Sequence, residues 1–266
     1  MKLKKIWKKL PIRYQKSLRP LAEKLFYLVC LVTGRQALLH PIGKVSIPFA
    51  AKPYLKRSVA QQGEDLILDR IITKILNWDI SESRFYVDVG AYHPIDHSVT
   101  YLLYRRGWKG VAFDPSFETH KSFHFWRRKD QFVQAVVGDE DDVEVEFFTP
   151  NNANGMCLIN TKYPMNKDDC TAKKIKQVNL SDELVRQGVE KIDVLNLDVE
   201  GAELEILKTL DFNKFSPTII AIEVHGNDIQ KCLKTEEVQL ILSKGYRAVG
   251  CAVITFFFVK ESHIPS

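Results

Sequence analysis

The succession of elements along the chain predicts an α/β fold: a doubly wound, mostly parallel seven-stranded sheet closed by an antiparallel hairpin. Three observations predict it. Five apolar runs, Phe85–Val89, Gly110–Asp114, Phe132–Val137, Ile192–Asp198 and Thr218–Val224, alternate with stretches of helical periodicity. That alternation is the pattern of a parallel sheet with right-handed crossovers. Four of the runs deliver a carboxylate at or near their ends, Asp88, Asp114, Asp198 and Glu223, at the sheet edge where open α/β folds hold ligands. The last two runs, Tyr246–Cys251 and Ile254–Lys260, have only a few residues between them, too few for a crossover, so they pair antiparallel.

Each element has its own signal. Leu68, Ile71, Ile72, Ile75 and Leu76 recur at helical spacing, which predicts an amphipathic helix over Leu66–Leu76 covering one sheet face. After the first strand Pro94 restricts the turn, and Ser98–Arg106 reads as a helix stopped by Gly107. Pro115 and Ser116 close the second strand, Phe117–Lys129 is a helix, and the third strand ends at Gly138 and Asp139. Val143–Phe148 alternates acid and apolar residues as a half-exposed strand does. From Pro150 to about Lys174 the chain is polar and rich in Asn and Lys, which reads as a lid or substrate loop. Helices follow over Ser181–Gln187, Gly201–Leu210 and Thr235–Lys244, the first and last stopped by Gly188 and Gly245.

At 266 residues, with 45% hydrophobic and 11% aromatic content, the chain suffices for one large domain with an appendage and is not disordered. Five scattered cysteines form no C-x-x-C pair, which argues for reduced thiols and against a zinc site. The charge is unevenly spread. Residues 1–57 carry 14 Lys and Arg against one acid, Glu23, while the remainder has 24 Lys and Arg against 32 acids. The division is therefore a basic arm and linker at 1–57, with Pro41, Pro48 and Pro53, and a folded domain at 58–266. The apolar stretch Leu25–Val32 is too short to cross a bilayer, which needs about 20 residues, and no cleavage site follows it. Residues 1–35 read either as peripheral membrane contact or as a basic helix packed through Leu21, Leu25 and Val29. Nucleic acid is not expected, since the rest of the chain is acidic.

The strand ends form a constellation. Asp88, Asp114, Asp198 and Glu223 lie along one predicted edge, with His225 just beyond the fifth strand. Asp114 follows Asp88 by 26 residues, near the spacing at which an acid reaches a ribose hydroxyl pair. Ala91-Tyr92-His93 stands where the glycines of a pyrophosphate-binding turn would be. The expected ligand therefore carries a ribose and no pyrophosphate, which favours S-adenosylmethionine over a nicotinamide dinucleotide.

Here the chain resembles a family. Val87-Asp-Val-Gly-Ala-Tyr-His-Pro94, Gly107-Trp-Lys-Gly-Val-Ala-Phe-Asp-Pro115, the run from Ile192 to Leu207 containing Asp198-Val-Glu-Gly-Ala-Glu203, and Ile222-Glu-Val-His225 resemble the signature blocks of FkbM-type S-adenosylmethionine-dependent methyltransferases. Gln62-Gly-Glu64 and the residues after it match a further block, and the resemblance spans about 58–260. It departs at Asp114-Pro115, where Glu-Pro is more usual, and does not reach residues 1–57. It implies the class I methyltransferase sheet and O-methylation of a sugar, nucleotide-sugar or glycan hydroxyl, or of a polyketide. It also implies a bacterial setting; the unpaired cysteines argue for the cytosol, the basic arm makes contact at the inner face of the membrane an option, and a homodimer stays open. Carried over, Asp88, Gly90 and Ala91 line the methionine end of the cofactor, with Glu64 near them. Asp114 and Pro115 hold the ribose, and Gly138 and Asp139 sit by the adenine. Asp198, Glu200, Glu223 and His225 face the acceptor.

Methyl transfer to a hydroxyl needs positioning and a base for the hydroxyl proton. His225 is the first choice, because its ordinary pKa lies near neutral, with Asp198 or Glu223 orienting or replacing it. Each assignment has a plainer rival: Asp88 as a helix cap, Glu200 as a cap for the next helix, His225 as a turn residue. His120 and His124 share a helix face and read as surface. No metal is expected, since Asp198 and Glu223 alone do not specify one. Two rival functions stand beside the methyltransferase: a nucleotide-dependent oxidoreductase on a similar sheet, and an inactive module docking on membrane.

Overall fold

The computed structural model describes residues 57–150, 158–159, 170–226 and 228–265. The basic arm and most of the expected lid lie outside the described residues. The chain divides into two units, Met1–Arg57 and Ser58–Ser266, and all that follows concerns the second. No helix among the described residues is long and apolar enough to cross a membrane.

Helix α1 (Glu64–Arg70) starts after Gly63, whose left-handed backbone stops it extending backwards, and a π-helical turn over Ile71–Ile75 continues it. The expected single helix is thus two pitches. Leu68, Ile71, Ile72 and Leu76 are nonetheless all buried on the sheet. Strand β1 (Phe85–Val89), helix α2 (Tyr101–Arg105), strand β2 (Lys109–Phe113) and helix α3 (Phe117–Trp126) follow. Ser116 caps α3 by accepting from the Thr119 N–H, satisfying one of the free donors of a helix start.

The expected third strand is two strands. β3 (Gln131–Val133) pairs with β2, but β4 (Val136–Gly138) belongs to a second sheet. The chain changes sheet at Gln134 and Ala135, and Gln134 is the polar interruption in an otherwise apolar run. The second sheet takes in β5 (Val143–Pro150), β6 (Leu158–Ile159) and β7 (Cys170–Asn179), in the order β4-β7-β5-β6. In β5 the alternation holds: Glu144 and Glu146 are exposed, while Val143 and Val145 are partly buried. Residues 170–174, expected to close the lid, instead belong to β7 and pair antiparallel with β5. Their exposed Lys173 and Lys174 hide the strand from a hydropathy reading.

Helix α4 (Leu180–Arg186), strand β8 (Val194–Leu197), helix α5 (Glu203–Thr209) and strand β9 (Ile219–Glu223) return to the main sheet. Helices α6 (Ile229–Cys232) and α7 (Glu236–Ser243) lead into β10 (Tyr246–Ala252) and β11 (Thr255–Lys260). The main sheet has seven strands in the order β10-β11-β9-β8-β1-β2-β3, and β11 alone runs against the rest. Strand order reverses between β1 and β8, the switch point where ligands bind. Strand periodicity then fixes what faces what. Val87, Val89, Leu195, Leu197, Ile220 and Ile222 pack towards α4, α5 and α7. Tyr86, Val194, Ile219 and Ala221 pack towards α1 and α2. Asp88, Asn196, Asp198 and Glu223 share this second parity, so one face of the switch point is acidic.

Candidate active site

At the switch point β1 and β8 come so close that only glycine fits between them. Gly90 has a φ of 83°, and a Cβ there would stand 1.6 Å from the Asp198 carbonyl oxygen. The N–H groups of Gly90 and Ala91 both donate to the Phe113 carbonyl at 3.0 Å, which ties the turn to the end of β2. Above it opens a cleft of about 270 Å³. Among the described residues five acids line it, Glu64, Asp88, Asp114, Asp198 and Glu200, and no Lys or Arg does. The apolar wall comes from Val89, Phe113, Ala135, Val136, Val137 and Phe147.

The acids of the β1–β2 end are saturated with donors. Asp88 is buried and accepts from the Asn196 amide at 2.9 Å and from the Thr100 hydroxyl. It caps no helix. Asp114 accepts from the N–H groups of Tyr92 (3.0 Å) and Ser116 (2.8 Å); burial pushes its carboxyl above the usual range against those bonds. Glu64 accepts from the Gln62 N–H at 2.7 Å. Ala91 and Pro115 also line the cleft, whereas Gly138 and Asp139 do not. Gly138 packs against Gln177, and Asp139 lies 3.5 Å from the Gln177 amide; Val136 and Val137 supply the wall at that point. Tyr92 lines the cleft with its ring stacked on His97, 5.8 Å between centroids. His93 serves the turn instead: its Nδ1 accepts from Ile95 (3.2 Å) and Asp96 (2.8 Å), and burial lowers its pKa.

The β8–β9 end is crowded with carboxyls. Asp198 opens to the cleft on one side and is closed in by protein on the others. Burial, then its hydrogen bond to Glu223 and the charge of Glu223, drive its pKa well above the ordinary carboxylate range. Burial raises Glu223 as well, with Glu200, Glu203 and Glu64 adding repulsion. Both carboxyls thus hold a proton more tightly than a free carboxylate does. Glu200 has a φ of 55° and is followed by Gly201 at 113°. Buried Glu203 holds this left-handed pair by accepting from the N–H groups of Val199 (3.1 Å) and Gly201 (3.2 Å). Glu200 is therefore no helix cap; the one acting on this loop is Glu203, which sequence reasoning missed. His225 stands between two carboxylates, with Nε2 3.9 Å from Glu200 and Nδ1 4.0 Å from Glu223.

Among the described residues, Glu200, Glu223 and His225 are the set whose donor atoms could hold a metal ion, all within 4.8 Å of one another. His120 stacks on Phe132 at 5.3 Å and His124 is exposed.

A seven-stranded sheet with one reversed strand and an acid-lined cleft at its switch point defines the class I methyltransferase type. The family model for the methyltransferase FkbM domain matches residues 88–248, and the chain belongs to that family. No curated protein matches it. Among solved structures it is similar to an FkbM methyltransferase from Methylobacillus flagellatus (15% identity, TM-score 0.42, 67% of this chain and 44% of that one). It is also similar to the fibrillarin pre-rRNA processing protein of Methanococcus jannaschii (14% identity, TM-score 0.42, 75% and 76%). A third is an O-methyltransferase family protein from Burkholderia thailandensis (12% identity, TM-score 0.34, 74% and 56%). The chain thus spans less than half the length of the first of these.

Proposed function

We propose that the protein transfers a methyl group from S-adenosylmethionine to a hydroxyl of a sugar, nucleotide-sugar or glycan precursor. The observation that carries the cofactor is the charge of the cleft: among the described residues, five lining acids and no Lys or Arg. A dinucleotide would bring a pyrophosphate into that field, whereas a sulfonium cofactor brings a cation. The donor set fits otherwise too, with Asp114 at a strand end for a ribose and an apolar wall for a base. The group supplies, when bound, an electrophilic methyl.

The residues supply positioning and the proton acceptor. Asp88, Gly90, Ala91 and Glu64 line the methionine end; Asp114 and Pro115 line the ribose end. Val136 and Val137, the residues before Gly138 and Asp139, line the remaining wall. An acceptor hydroxyl at the Glu200 end gives its proton to His225 as its oxygen bonds to carbon. Glu200 and Glu223 then stabilise the imidazolium, and the proton on Asp198 keeps the Asp198–Glu223 pair from competing for it.

Calorimetric titration with S-adenosylhomocysteine and with NAD(H) tests the cofactor: binding of the first alone is expected, and binding of NAD(H) alone sinks the proposal. Labelled S-adenosylmethionine with a panel of nucleotide-sugars and free glycans tests the acceptor. A second reading rests on the close approach of Glu200, Glu223 and His225, which would let a divalent cation ionise the hydroxyl. Full turnover after exhaustive dialysis against EDTA eliminates it.

A further inference from the structure

Behind Asp88 lies a cation that the chemistry above does not use. Arg127, in the turn after α3, is completely buried, with no side-chain surface exposed. Its Nε donates to Asp130 at 2.6 Å, and Nη2 to the Tyr86 hydroxyl at 2.6 Å. Nη1 and Nη2 both reach the Thr100 hydroxyl at 3.0 Å, and Nη1 lies 3.3 Å from Ser98. Phe123, Tyr86 and Tyr104 surround the guanidinium with ring faces, 4.8 to 5.4 Å from its carbon. The Thr100 hydroxyl, filled on its acceptor side by Arg127, gives its own proton to Asp88. The guanidinium itself stays 4.0 Å from the Asp88 carboxylate.

A guanidinium offers five donors in a fixed fork, and here every nitrogen is engaged. Burying such a charge is costly unless it is paired. Asp130 would suffice as the pair, so the further link through Thr100 to the cleft floor asks for its own explanation. Asp88, in turn, is a buried carboxylate with two neutral donors, and Arg127 is the cation that stands behind it at 4.0 Å.

We propose that Arg127 is a positioning residue for the cofactor: through Thr100 it holds the Asp88 carboxylate fixed beneath the cleft, so that the floor favours a sulfonium over the neutral thioether left after transfer. The proposal rests on the S-adenosylmethionine reading. It gives the site a means of distinguishing substrate from spent cofactor, two molecules that differ by one methyl and one charge.

The test is calorimetric titration of the full chain with S-adenosylmethionine and with S-adenosylhomocysteine, for wild type, Arg127→Gln, Arg127→Lys and Thr100→Val. The readout is the ratio of the two affinities, which a merely structural pin would leave unchanged. In Arg127→Gln and Thr100→Val, the Asp88 carboxylate loses its fixed position and the preference for the sulfonium falls about tenfold relative to wild type. Arg127→Lys retains the charge and the wild-type ratio. Equal weakening of both ligands would overturn the proposal, and so would a ratio that shifts towards the sulfonium, since Asp88 would then serve the sulfonium without Arg127. Should Arg127→Gln fail to fold, Thr100→Val decides. Wild-type protein that binds neither ligand would overturn the cofactor reading itself.

Discussion

The two ends of the cleft hold acids in opposite ways. At the β1–β2 end Asp88 and Asp114 each accept two hydrogen bonds from named donors, and a buried arginine stands behind Asp88. At the β8–β9 end Asp198, Glu200 and Glu223 crowd together, and the described residues give them no Lys or Arg ion pair; their nearest cation former is His225. The first arrangement fixes charge and shape before any ligand arrives, which is what tight, oriented binding needs. The second leaves carboxyls that hold protons tightly beside a histidine, which is what proton transfer needs. On the proposed function one cleft separates holding from reacting, and substitutions at the two ends should fail differently.

The largest effect is expected at the reacting end. His225→Ala should lower turnover about 10²- to 10⁴-fold while S-adenosylhomocysteine affinity stays within about twofold; normal turnover would pass the role of base to Asp198 or Glu223. Next comes the junction of the two ends. Gly90→Ala forces a Cβ into the Asp198 carbonyl at a left-handed backbone, so a loss of about 3 kcal/mol or more is expected, read by chemical denaturation. Asp114→Asn should weaken the cofactor about tenfold without changing the rate at saturation, the mirror image of His225→Ala.

The smallest effect is one of stability. Asp198 binds its proton more tightly folded than unfolded, since its pKa is raised above 3.8. That contribution is whole below about pH 4 and is lost as pH rises through the raised value. Asp198→Asn keeps a neutral donor towards Glu223 at every pH. It should therefore match wild type at pH 4 and exceed it at pH 8 by about 1 kcal/mol, after allowance for screening by water in the cleft. Denaturation curves at the two pH values check it. A variant no more stable than wild type at pH 8 would mean that ionising Asp198 beside Glu223 carries no penalty and the two ends are more alike than the geometry indicates.

The same contrast explains what the sequence shows and what it hides. Strand ends are legible because a two-residue period running into an acid and a glycine is a local pattern, and it places Asp88, Gly90, Asp114, Asp198 and Glu223 together. What depends on a partner far along the chain is not legible. Arg127 reads as an ordinary charged residue after a helix, since basic side chains are seldom buried. Its partners Tyr86, Ser98 and Thr100 are 27 to 41 residues away. Glu203 looks like a helix-start acid and turns out to fix the backbone of Glu200. The break at Gln134 is faint because Phe132–Val137 is apolar on both sides of it. The resemblance places Gly138 and Asp139 at the adenine; the change of sheet puts Val136 and Val137, not these two, in the cleft wall.

The register of the second sheet has a further consequence. Pro150, the last residue of β5, pairs with Cys170, the first of β7, so the nineteen residues between them leave and re-enter at neighbouring positions. Varying the length of such a connection is cheap, since doubling it costs only about 0.6 kcal/mol in closure entropy. Val136, Val137 and Phe147 of the cleft wall stand on the strands themselves. Length changes between Pro150 and Cys170 should therefore leave that wall in place.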